Sequence, residues 1–205
     1  MMPVKHNLCL AGVIFLLSLT FEVFAAEEGV GNITAVLGNV DIIEAKTKQK
    51  KSAKKDAVLY ENDVIQTQAE AKAKVILNDQ TVLSLGPGAE LVIDKFVMGN
   101  ENNKGSVGIS VKKGLLKYLS GDISKNKGDV QLKIPNAVIT VRGTSGIINI
   151  TPEGTASIKT LTGELRLTNA AGITTQITAG FVIEFNSQTS TVTNFSSFAS
   201  GCNAW

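Results

Sequence analysis

Ile134-Pro135-Asn136-Ala137-Val138-Ile139-Thr140-Val141-Arg142-Gly143-Thr144 alternates in its middle, with Ala137, Ile139 and Val141 on one side of an extended chain and Val138 and Thr140 on the other. That period of two is the mark of a β-strand with one face toward a core. Pro135 has no N–H to give to a ladder and fits the strand entrance. Arg142-Gly143-Thr144 then breaks the apolar run, and a glycine there predicts a bulge or a close backbone approach. A guanidinium leaving a largely apolar strand needs partners. Arg142 is expected to pair with Asp63 or Asp79 and to lock strands together. This segment reads as the centre of an all-β domain.

The same pattern recurs on both sides. Ile33, Ala35 and Leu37 alternate with Thr34 and Val36, Gly38-Asn39 is a turn, and Val40 to Ile43 resumes the extended pattern. Ala71, Ala73, Val75 and Leu77 alternate with Lys72, Lys74 and Ile76, which places both lysines on a solvent face. Asn78-Asp79-Gln80 is a hairpin turn leading to Thr81–Leu85. Further short strands follow around Leu91–Ile93, Val107–Val111, Leu115–Leu119, Ile147–Ile150, Ala156–Leu161, Leu165–Leu167, Thr174–Ile177 and Phe181–Phe185. No helical period is sustained past the N-terminus. Strands of this length at this spacing predict an all-β domain, a β-sandwich or a β-solenoid-like stack.

The N-terminus has another character. Lys5 and His6 precede an apolar run from Leu8 to Leu19, and Val23-Phe24-Ala25 supplies small residues ahead of Ala26-Glu27-Glu28. These are the parts of a secretory signal peptide, residues 1–25. The run is shorter than the ~20 residues of a membrane span. The division expected is a signal peptide (1–25), an all-β domain (26–185) and a Ser/Thr/Asn-rich tail (186–205), in a protein that is periplasmic or secreted. No membrane span is expected after cleavage.

Cleavage would remove Cys9 and the one histidine, His6, leaving Cys202 in the tail. Without histidine, a Ser-His-Asp or Cys-His centre and imidazole zinc sites are excluded. Charge is near balance, at a formal +2, and the arginines are Arg142 and Arg166 alone. A nucleic-acid partner is therefore not expected. Six lysines fall between Lys46 and Lys55, a solvated hairpin tip or a contact for an anionic surface. Carboxylate chemistry stays open, with Asp63, Asp79, Glu90 and Asp94 as its candidates. Each lies at a turn or strand end, where acids commonly serve solubility or turn bonding. No catalytic, metal or cofactor residue is assigned, and no cofactor is expected. Asn-x-Ser/Thr sequons at Asn32, Asn149 and Asn194 are taken as chance occurrences.

Four blocks, in order, resemble the FecR domain family. They are Leu59–Thr67 (LYENDVIQT), Ala73–Ala89 (AKVILNDQTVLSLGPGA), Lys113-Gly114-Leu115-Leu116, and Ile134-Pro135-Asn136-Ala137 through Arg142-Gly143-Thr144. The last is the most specific. The match is good over residues 59–150 and looser over 31–184. Asn62 and Gln80 stand where the family has glycines, so both are expected in turn conformations. The resemblance implies an extracytoplasmic all-β module, which in the namesake proteins relays the state of an outer-membrane receptor to a sigma factor. This chain shows no anti-sigma segment and no internal membrane helix. A stand-alone, exported, non-enzymatic binding or scaffolding module is therefore expected, with an envelope protein or surface polymer as partner. A carboxylate-based carbohydrate-active enzyme or a glycan-binding protein is the alternative. Arg142, Gly143, Thr144, Asp63 and Asp79 are expected to form its structural motif.

Overall fold

The computed structural model describes residues 28–197, so the expected signal peptide, Cys202 and the end of the tail lie outside the described residues. The chain forms one continuous hydrogen-bonded mixed sheet of fifteen strands, folded over to give two leaves. The first leaf contains β1 (Gly31–Leu37), β4 (Val58–Leu59), β6 (Lys72–Leu77) and β7 (Val82–Leu85), and is completed by β14 (Phe181–Asn186) and β15 (Thr191–Ser197). The second contains β2 (Val40–Ile43), β3 (Lys50–Ser52), β5 (Val64–Thr67), β8 (Glu90–Val97), β10 (Asp129–Ile134) and β13 (Thr174–Thr178).

Three long strands run through both leaves: β9 (Ser106–Leu119), β11 (Ala137–Ile150) and β12 (Thr155–Asn169). Each changes neighbours partway along. β9 pairs with β8 and β10 up to Lys113, and with β7 and β11 from Gly114 onward. β11 pairs with β10 as far as Thr140 and with β9 from Ser145, its register broken between Arg142 and Ser145. β12 gives its first half to β14 and its second half to β13. All pairs are antiparallel except β10 on β9.

Alternation decides which face is buried. Ala73, Val75 and Leu77 of β6 are buried, while Lys72 and Lys74 are exposed. Ala137, Ile139 and Val141 are buried as their spacing predicts. Ile33, Leu83, Leu116, Ile148 and Phe185 of the first leaf join Ile65, Leu91, Ile109, Leu132 and Leu165 of the second in one hydrophobic cluster. A single core fed by both leaves means that they face one another. Each such side chain contributes about 1.5–3 kcal/mol on burial.

The all-β reading holds, with particular differences. Ile134 ends β10 and Pro135-Asn136 is the turn into β11, with Asn136 at φ +60°, so the strand begins at Ala137. That strand continues past the Arg-Gly-Thr break to Ile150. One helical turn, α1 (Asp122–Lys125), lies between β9 and β10. The lysine-rich segment is the β2–β3 hairpin, with Lys50 on Asp41 at 2.8 Å and Lys51 on Glu44 at 2.6 Å. Asn62 and Gln80 take up left-handed φ values of +65° and +67°.

Candidate functional site

Arg142-Gly143-Thr144 sits where β11 passes from one leaf to the other. A bulge removes backbone groups from the ladder, and buried N–H and C=O groups must find other partners. Short hydroxyl side chains supply them. Ser120 Oγ accepts from Thr144 N at 2.6 Å and donates to Thr144 O at 2.6 Å. Ser124 Oγ accepts from Gly143 N at 2.8 Å. The Thr144 hydroxyl is shared between the carbonyls of Arg142 and Glu164, 2.8 Å from each. Ser145 N donates to Thr162 Oγ1 at 2.9 Å.

Backbone conformation completes the knot. Gly143 has φ +60° and Gly163, across the seam on β12, has φ +71°. A Cβ on Gly163 would lie 2.7 Å from the Gly143 carbonyl oxygen, so only glycine lets the strands approach this closely.

Arg142 itself departs from expectation. It is exposed, and its guanidinium makes no ion pair or hydrogen bond among the described residues. Asp63 and Asp79 are both buried, but neither is its partner. Asp63 accepts from Ala45 N at 2.8 Å and Tyr60 N at 3.1 Å, tying the β2–β3 hairpin to the β4–β5 turn. Asp79 accepts from Thr81 N at 3.0 Å and Thr81 Oγ1 at 2.9 Å, and Thr81 Oγ1 in turn accepts from Gly121 N at 3.1 Å. Backbone N–H groups at the turns satisfy both carboxylates. Glu164, the ladder neighbour of Arg142, is held by Arg166 Nε at 2.6 Å and Gln176 Nε2 at 2.7 Å.

Arg142 therefore projects over a cleft of about 180 Å³ that Ser124, Lys127, Gly128, Asp129 and Thr140 also line. An unpaired guanidinium offers a planar fork of donors suited to a carboxylate.

The remaining acidic candidates are engaged as well. Burial pushes the Glu90 carboxyl up, but Lys112 at 3.0 Å, with Gln66 and Lys113, outweighs it and holds the group below the usual carboxylate range. Asp94 accepts from Ser110 Oγ at 2.7 Å and faces Lys133 at 3.2 Å. A cavity of about 370 Å³ beside the β2–β3 hairpin holds only Asp63 of the four candidates, with Glu44 and Glu61. Glu44 is held by Lys51 and Thr47, and Glu61 accepts from Phe96 N. No group of three or more metal-ligating side chains occurs among the described residues. No helix among them is long and apolar enough to cross a membrane.

Tyr118 lies next to the knot, buried, its hydroxyl without a hydrogen-bond partner. Burial pushes its phenol up to about 12, and the Asp79 carboxylate acts in the same direction against the nearby Ser120 and Thr81 hydroxyls.

The fold and the seam define an all-β module whose most distinctive motif shapes its backbone. A family model described as FecR protein matches residues 63–166, just over half of the chain, and the chain belongs to that family. No curated protein matches it. Among solved structures it resembles a putative anti-sigma factor from Parabacteroides distasonis ATCC 8503, determined at 2.50 Å and at 1.65 Å. The TM-scores are 0.55 and 0.54, at 12% identity. The alignment covers 67% of this chain and 60% of that one, so this chain spans less than two thirds of that protein's length.

Proposed function

We propose that this chain is an exported, non-enzymatic FecR-type docking module, serving signalling or scaffolding at the cell envelope. Its contact with a protein partner is placed at the cleft around Arg142. One observation carries the reading: the arginine of the family's most specific block is exposed and unpaired, while the glycine and threonine beside it fix the backbone that presents it. An arginine needed only for folding would be expected to have a partner. The likeness to a putative anti-sigma factor supports a signalling role, and membership of the family supports an envelope location. The acidic side chains proposed for catalysis are engaged in turn bonding and ion pairs, which favours binding over chemistry.

Crosslinking and affinity capture from the native envelope, with the full chain as bait, tests this. One recurrent protein should be recovered with the parent and lost with Arg142→Ala, while the melting temperature stays within about 2 °C. Equal recovery with both baits would overturn the role of Arg142. A large fall in melting temperature would show that the residue serves the fold.

A further inference from the structure

The outer face of the first leaf is rich in lysine. Successive ladder partners on β6, β7, β9, β11 and β12 place Lys74, Ser84, Lys117, Ile147 and Lys159 in a single row across the sheet. Lys72 lies one step along β6 on the same face. Adjacent strands are about 4.8 Å apart, so Lys74, Lys117 and Lys159, each two strands from the next, are spaced at about 10 Å. Glu184 is the one acid at an outward position on the strands of this leaf. Lys74 and Lys117 make no ion pair among the described residues. Between them the short Ser84 leaves a depression of about 230 Å³, which Lys72 also lines. A neighbouring row, Ile76, Val82 and Leu119, is aliphatic. No aromatic side chain stands at an outward position on β6, β7, β9 or β12 in this leaf, so bases and neutral sugar rings have no stacking platform.

From these features we infer that this face is a track for a linear acidic polysaccharide, a glycan with one carboxylate in each disaccharide, laid across the strands. Three arguments select that occupant. The charges form a row rather than a disc, which matches a chain better than a membrane plane. Their regular spacing suits a repeating anion. Lysine, a hydrated point charge on a flexible stem, suits a ligand held by several weak contacts rather than one forked pair. The aliphatic row offers contact to the apolar faces of the sugar rings. This site is separate from the Arg142 cleft and does not depend on the protein-docking reading.

Binding of the full chain to immobilised hyaluronate, with neutral dextran as control, tests the inference. The parent should bind hyaluronate and not dextran, and the affinity should fall as salt rises. Lys74→Gln/Lys117→Gln/Lys159→Gln should weaken binding by about tenfold or more. Lys50→Gln/Lys51→Gln/Lys133→Gln, on the second leaf and its hairpin, should change it by less than about twofold. The corresponding triple arginine variant keeps the charge and should retain binding, which separates loss of charge from loss of fold. Absence of binding by the parent would overturn the inference. So would equal weakening by both glutamine variants, or binding of phosphatidylglycerol vesicles without hyaluronate. Loss of protein capture by Arg142→Ala would leave this result unaffected.

Discussion

The two outer faces of this folded sheet treat charge in opposite ways. On the second leaf, several cations sit on carboxylates, Arg142 at the seam being an exception: Lys50 on Asp41 at 2.8 Å, Lys112 on Glu90 at 3.0 Å, Lys133 on Asp94 at 3.2 Å, Arg166 on Glu164 at 2.6 Å. On the first leaf, Lys74 and Lys117 make no ion pair among the described residues, and Glu184 is the one outward acid of its strands. Exposed pairs of this kind add ~0–1 kcal/mol each, so pairing does little for stability and mainly neutralises the surface. Leaving Lys74 and Lys117 without such pairs forgoes little in folding. The difference therefore bears on what each face meets.

The largest test acts on the seam that holds the two faces in one unit. Gly163→Ala forces a side chain into a left-handed backbone and toward the Gly143 carbonyl oxygen 2.7 Å away. A loss of about 3 kcal/mol is expected, roughly 6–12 °C in melting temperature. Gly143→Ala meets open space and pays only for its φ of +60°, about 1 kcal/mol. Thermal melts followed by circular dichroism separate the two. Equal losses would mean that the strands do not approach as closely as described, and that the two leaves need not melt together.

A smaller effect belongs to the core side of the first leaf. The folded protein holds the Tyr118 proton up to about pH 12, whereas a phenol in the unfolded chain releases it near 10. Above pH 10 the unfolded state is therefore favoured, and about 2–3 kcal/mol of stability should be lost by pH 12. Tyr118→Phe should remove that alkaline loss. It should also stabilise the protein at neutral pH by about 1 kcal/mol, because the phenolic oxygen is buried without a partner. Urea titrations at pH 8 and pH 11 measure both, and an unchanged alkaline slope in the variant would assign the loss to another group.

Much of this architecture was legible in the residues, because alternation is a local signal. The burial of Ala137, Ile139 and Val141, the exposure of Lys72 and Lys74, and the turns at Asn62 and Gln80 all follow from a few neighbouring positions. The bulge at Gly143 was legible as well. The exposure of Arg142 without a partner was not. Asp63 and Asp79 carried the right charge, but their carboxylates were already committed to N–H groups of nearby turns, and that commitment depends on how the turns close. The hydroxyls of Ser120, Ser124 and Thr162 were also missed. Ser120-Gly121 and Thr162-Gly163, a small hydroxyl beside a glycine at a strand bend, were the available sign. The lysine row is a product of register: residues 74, 117 and 159 are far apart in sequence and become neighbours only through the ladder.

The smallest effects test the comparison most directly. Lys133→Gln breaks an ion pair with Asp94 and should cost at most about 1 kcal/mol, whereas Lys74→Gln and Lys117→Gln break none. The latter two should lie within about 0.5 kcal/mol of the parent, on the favourable side if the row repels itself. Acid sharpens the contrast. Lys50 and Gln68 hold the Asp41 carboxyl below its usual range against slight burial, and Lys112 does so for Glu90. The stability from these pairs is complete above the carboxyl pKa values of the unfolded chain, near 4, and is lost as pH falls through the lower folded values. As pH falls through the lowered Glu90 value, the cost of Lys112→Gln, which breaks the pair with Glu90, should therefore shrink toward that of Lys74→Gln. If the costs already match at pH 7, the pairs on the second leaf contribute nothing to stability, and the two faces differ only in the field they present to a partner.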